Sequence, residues 1–132
     1  MYDESDNIRL FAYKQVIMVT ATLQQEITQL EANFCAALSD PNRLLILYAL
    51  NDGPRNVTEL SNELRMNQPT TSRHLKVLRE RGLVHTIRNG TTITYHLSDS
   101  RLIQALDLLR SAMRDRLSRQ ANLVNEIAQE NV

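Results

Sequence analysis

Apolar residues recur at Ile8, Phe11, Val16, Val19, Leu23, Ile27, Leu30 and Phe34, and no Pro or Gly falls between Ile8 and Leu38. A spacing of three to five predicts helix rather than strand, as one long helix or two in series. Thr22 to Gln25 reads T-x-x-Q, a capping-box pattern that would permit a break near Thr22. Ser39-Asp40-Pro41 stops this stretch and starts the next helix, because Asp40 can cap free N–H groups and Pro41 suits the first helical position. Leu44 to Leu50 reads as the buried body of that helix, ended by Asn51-Asp52-Gly53-Pro54.

A short helix follows over Val57 to Leu64, with Asn56 or Thr58 as its cap and Val57, Leu60 and Leu64 on one face. Arg65-Met66-Asn67 is a turn. A second helix begins at Gln68 or Pro69, keeps Leu75, Val77 and Leu78 for the core, and ends at Gly82. Two short helices joined by a tight turn make a helix-turn-helix unit. After Gly82 the pattern becomes strand-like, Leu83 to Arg88 and Thr91 to Leu97, around Asn89-Gly90. Asn-Gly is a strong hairpin signal, because both residues tolerate the positive φ of a type I′ turn. Ser98-Asp99 then caps a last helix reaching about Gln129, with a stripe of Leu102, Leu106, Leu109, Met113, Leu117, Val124 and Ile127. The fold class expected is mainly α with one small β-hairpin. The organisation expected is a single domain over 1–132, comprising N-terminal helix or helices 5–38, a helix-turn-helix core with its hairpin 41–97, and a C-terminal helix 99–129.

A chain of 132 residues with 42% hydrophobic residues holds one core and leaves no room for a second, catalytic domain. No apolar run approaches the roughly 20 residues that cross a bilayer, and Met1 leads into Asp3, Glu4 and Asp6 rather than a basic signal start, so no membrane partner and a cytoplasmic location are expected. One cysteine, Cys35, excludes an internal disulfide and a cysteine-built metal site within one subunit. Formal net charge is zero, but Arg55 to His96 carries seven basic residues against three acidic ones. That segment is +4 and the remainder −4, as expected if only the centre approaches phosphate. One Cys, three scattered His and no glycine-rich loop give no catalytic constellation, and neither an enzyme nor a bound cofactor is expected.

Leu38-Ser39-Asp40-Pro41-Asn42-Arg43-Leu44-Leu45-Ile46-Leu47, Val57-Thr58-Glu59-Leu60 and the run from Gln68 to Val84 together resemble the ArsR/SmtB family of bacterial repressors, from Leu38 to about Leu109. The resemblance implies a winged helix-turn-helix homodimer, joined through its first and last helices, that binds a near-palindromic operator in double-stranded DNA and releases it to an inducer. In that fold the second helix enters the major groove. Gln68, Thr70 and Arg73 are then the expected base readers, Ser72 and Lys76 the expected backbone contacts, and Thr71 lies among them. Arg88, Asn89 and Thr91 mark the wing tip, where a basic side chain can reach the minor groove or its phosphates.

The family's thiolate site falls on Glu59 to Leu64 and lacks both cysteines. Its second site falls on Asp99, Arg101, Ala112 and Asp115, where only the carboxylates could ligate and Arg101 repels a cation. No metal site is expected, and the inducer is not identifiable from sequence. His74 reads as a half-buried packing residue, and His85 and His96 as cross-strand neighbours without a third ligand. Cys35 reads as an inert core thiol, with a one-cysteine redox switch across the dimer axis as its functional alternative. Ile8, Phe11, Val16 and Val19 would be left exposed on a monomer, and Met18 with Phe34 could roof a small apolar pocket. The rival to a DNA-binding regulator is a winged-helix protein-interaction module that has lost DNA binding.

Overall fold

The computed structural model describes residues 3–131; Met1, Tyr2 and Val132 of the expected 1–132 domain lie outside them. Helix α1 spans Glu4–Gln29 and continues as a π-helical segment, Leu30–Cys35. Then follow α2 (Pro41–Asn51), α3 (Val57–Leu64), α4 (Gln68–Glu80), strands β1 (Val84–Asn89) and β2 (Thr92–Leu97), and α5 (Arg101–Glu130). No helix among the described residues is long and apolar enough to cross a membrane.

Local chemistry sets most of these boundaries. The Asp40 carboxylate accepts from Asn42 N at 2.8 Å and Pro41 opens α2. Asn56 and Glu59 form a capping box on α3, so Asn56 rather than Thr58 is the cap. Helix α3 ends on Arg65, whose φ of 55° is left-handed without being glycine. Helix α4 ends in a Schellman arrangement: Leu83 N donates to Leu78 O, Gly82 N donates to Arg79 O, and Gly82 takes the positive φ of 75° that the turn requires.

Two boundaries differ from the sequence reading. No break occurs at Thr22, whose hydroxyl donates back to Met18 O at 3.0 Å and so satisfies itself within one continuous helix. The hairpin pairs Asn89 with Thr92, which makes Gly90 and Thr91 the two turn residues. Gly90 has φ 65° and no other residue there has positive φ, so the turn has the glycine-first pattern of type II′ rather than the type I′ expected around Asn89-Gly90.

The core draws from every element of the centre: Ile46, Leu47 and Leu50 of α2, Leu60 of α3, Leu75 and Leu78 of α4, Val84 of β1, and Ile103 and Leu106 of α5. Alternation along the hairpin places Val84, Thr86 and Arg88 with Leu97, Tyr95 and Ile93 on the inner face. Arg55 adds a one-residue third strand, exchanging backbone hydrogen bonds of 3.2 and 2.8 Å with Tyr95. The root of α5 is clasped to α2, because Tyr48 Oη donates to Asp107 Oδ1 at 2.7 Å and the Arg110 guanidinium lies 5.2 Å from the Tyr48 ring centroid. Burial and the Asp107 bond both raise the phenol above its ordinary pKa. In contrast, α1 buries no residue at all.

Candidate nucleic-acid interface

The second helix of the helix-turn-helix is held by one face and presents the other. Leu75 and Leu78 are fully buried, and at about 100° per residue the opposite face carries Pro69, Arg73, Lys76 and Glu80, all exposed. Asn67 caps the helix by accepting from Thr70 N at 2.8 Å, which fixes where that face begins. Gln68, Ser72, Arg73 and Lys76 are exposed and Thr70 is half-buried. Gln68 Nε2 donates to Thr58 Oγ1 at 3.1 Å, and Arg73 Nη2 donates to Thr70 Oγ1 at 3.2 Å, so both long side chains lie along the protein surface with their remaining donors free to reach outward. Lys76 sits 4.0 Å from Glu80, whose carboxylate weakens the positive field toward the C-terminal end and leaves the first two turns as the cationic part.

Thr71 is a correction. It is completely buried, its hydroxyl donating to Asn67 O at 2.9 Å and accepting from Ser61 Oγ at 3.0 Å, and it has no surface to offer a base or a phosphate. Its work is to couple α3 to α4 through a hydroxyl pair that leaves neither group unsatisfied. The wing residues Arg88, Asn89 and Thr91 are exposed at the hairpin tip. Two helices and a wing thus place Gln68, Thr70, Ser72, Arg73 and Lys76 on one element, with Arg88, Asn89 and Thr91 on another.

Three contributors were not singled out by sequence. Thr58, weighed only as a cap, braces Gln68. Arg43 donates through Nε to Ala37 O and through Nη2 to Ala36 O, while its Nη1 lies 3.4 Å from His74 Nδ1. A guanidinium only donates, so His74 accepts there and is held half-buried as a positioning group on α4. Arg81 Nη1, at the end of α4, donates to Asn33 Oδ1 in the π-helical segment at 3.2 Å. The orientation of α4 is therefore tied to the preceding helix at its middle and at its end. The only signal in the sequence was an arginine following Asp40-Pro41-Asn42, which charge counting alone does not interpret.

The residues at the family's metal positions are committed elsewhere. Ser61 is buried against Thr71, Glu63 pairs with Arg55 at 3.1 Å, and Asp99 pairs with Arg101 at 2.7 Å. Hydrogen bonds from the Arg101 side chain and backbone hold the Asp99 carboxyl down at about 2. A cation there would have to displace a guanidinium, so these residues do not fit a metal. Among the described residues no three His, Cys, Asp or Glu side chains converge. His85 and His96 do pair across the strands, their rings stacked with centroids 5.2 Å apart. Cys35, expected in a core, is exposed on the single chain.

Residues 40–86 match the family described as bacterial regulatory protein, arsR family. The chain is 40% identical over 88 residues to the HTH-type transcriptional regulator NmtR of Mycobacterium tuberculosis, which is 67% of this chain and 73% of that protein. The solved transcriptional repressor BigR of Xylella fastidiosa superposes with a TM-score of 0.61 at 33% identity, over 70% of this chain and 94% of that one. A homodimeric winged helix-turn-helix DNA-binding domain from Mycobacterium bovis superposes with a TM-score of 0.61 at 27% identity, over 76% of this chain and 89% of that one. These relatives are transcription factors rather than enzymes, and the winged helix-turn-helix is the fold shared with them.

Proposed function

The chain belongs to the ArsR/SmtB family of transcriptional regulators, and on that premise we propose that it is a homodimeric, sequence-specific repressor that binds an inverted-repeat operator. The observation that carries this reading is the two-sided character of α4. One side is locked into the core by Leu75, Leu78 and the Ser61–Thr71 pair, and the other offers Gln68, Ser72, Arg73 and Lys76 to solvent without a protein partner packed over them. A rigid helix with an unpaired cationic face is what the major groove receives.

In this reading Gln68, Thr70 and Arg73 read base edges. Gln pairs with adenine and Arg makes a fork to guanine, while Ser72 and Lys76 hold phosphate. Arg88, Asn89 and Thr91 follow the backbone into the neighbouring minor groove. Two copies joined through α1 and α5 present their recognition helices to half-sites about one helical turn apart. The setting is the cytoplasm, where bacterial DNA lies. The releasing signal is something other than a metal at the family's usual positions, because Glu63, Asp99 and Arg101 there are already ion-paired and Ser61 is buried.

The test is selection of bound sequences by the purified protein from a random duplex pool at two salt concentrations. The expected outcome is an inverted repeat whose affinity falls steeply with salt. Absence of enrichment at low salt would favour the interaction-module reading.

A further inference from the structure

Nineteen of the 21 exposed large hydrophobic residues lie on α1 with its π-helical extension and on α5. An isolated helix that buries nothing is marginal in water, so something must cover these two. They are of nearly equal length, 26 residues plus six against 30, or about 45 Å each. Both are rooted in the core at one end only, α1 through the buried Ala37 that follows it and α5 through Ile103 and Leu106. Each carries one full-length stripe, Val16, Val19, Leu23, Ile27, Leu30 and Phe34 on the first, and Leu109, Met113, Leu117, Val124 and Ile127 on the second. In BigR 94% of the chain is accounted for by 70% of this one, so the outer parts of these helices are surplus to the shared fold.

Resting on the homodimer reading, we propose that α1 of one copy packs antiparallel along the whole of α5 of a second copy, forming a helical stalk that extends beyond the part of the fold the relatives share. Charge selects this direction. Counted outward from Ala37 and Ile103, Glu26 and Arg114 both lie 11 residues out, and Glu31 at six lies beside Arg110 at seven. None of Glu26, Glu31 and Arg114 has an ion pair within the described residues, and Arg110 has only Asp107. A parallel arrangement would set Glu26 and Glu31 against Glu126 and Glu130 instead, like against like. Flanking charges of this kind set partner and orientation in coiled helices. The occupant is a second copy because α1 lies unburied beside its own chain's α5.

The experiment replaces Cys35 by Ser throughout, then mixes a Val16→Cys chain with a Val124→Cys chain and oxidises them. Both positions lie 21 residues out, each on its stripe. The expected result is a covalent dimer on a non-reducing gel from this mixture, none from either variant alone, and none when Val16→Cys is mixed with Met113→Cys, the pairing a parallel stalk would favour. As a second readout, Glu26→Arg is expected to weaken dimerisation about fivefold, and Arg114→Glu in the same chain to restore it. If the unmodified protein sediments as a monomer at micromolar concentration, the homodimer reading and the stalk both fall. If it sediments as a dimer but the Val16–Val124 bond fails to form, or only the Val16–Met113 bond forms, the stalk alone is overturned.

Discussion

Leu47 in α2 is wholly buried, whereas Leu117 in α5 keeps 55% of its surface, and the contrast holds for the regions around them. From Ala37 to Leu106 the apolar residues close on one another within a single chain. Beyond those limits, on α1 and the outer α5, they lie in stripes that meet nothing. The first region is a folding unit whose stability is set internally. The second is half of an interface, whose stability depends on protein concentration. The recognition helix sits in the self-sufficient half, while its spacing from a second recognition helix is set by the incomplete half. Affinity for one half-site and affinity for the whole operator are therefore separable quantities.

Substitutions in the two regions should separate accordingly. The largest effect is expected from Leu75→Ala, which opens a cavity under α4 and should lower unfolding free energy by about 2–5 kcal/mol in urea melts, at all protein concentrations. Arg73→Ala should weaken operator binding by about 1–3 kcal/mol in titrations against labelled duplex while leaving the melt unchanged. Thr71→Val sharpens the contrast between buried and presented faces. It should cost stability by about 1 kcal/mol through the lost Ser61 partner and should leave base preference at every operator position unaltered. Arg65→Gly should raise stability by a few tenths of a kcal/mol, roughly the left-handed strain relieved less the added freedom of the unfolded chain.

The smallest effect concerns the start of α5. Asp99 titrates near 2 in the folded protein, below its ordinary value, so its pairing with Arg101 contributes above about pH 4 and fades as pH falls toward 2. Following the Asp99 carboxyl by NMR should show that midpoint move upward in Arg101→Ala.

How much of this was legible beforehand depended on range. Caps and patterns act within a few residues, so Asp40, the helix-turn-helix periodicity, the glycine stop at Gly82 and the existence of the hairpin could all be read directly. Thr71 could not, because its burial depends on Ser61 ten positions away across a turn, and a threonine among Gln68, Ser72 and Arg73 looks like one more presented hydroxyl. The hairpin turn was misplaced for a related reason. Asn89-Gly90 favours one turn locally, but the pairing of six residues on each strand fixes the register and moves the turn to Gly90-Thr91. Thr22 had a capping partner by spacing and used its own helix instead. Arg43 and Arg81, which fix α4 against the preceding helix, bond backbone and amide groups that no charge pattern reveals.

The division between a self-contained reader and a shared clamp is tested most directly by comparing two proteins on two duplexes. The unmodified chain and a Leu23→Asp, Val124→Asp variant would be titrated against the selected inverted repeat and against one half-site alone. The unmodified protein should prefer the inverted repeat on the order of 100-fold or more, from the effective concentration of the linked second helix. The variant should bind both duplexes alike and with the unmodified protein's half-site affinity. A variant that keeps the full preference for the inverted repeat would contradict the account, because the two recognition helices would then be joined through some surface other than α1 and α5.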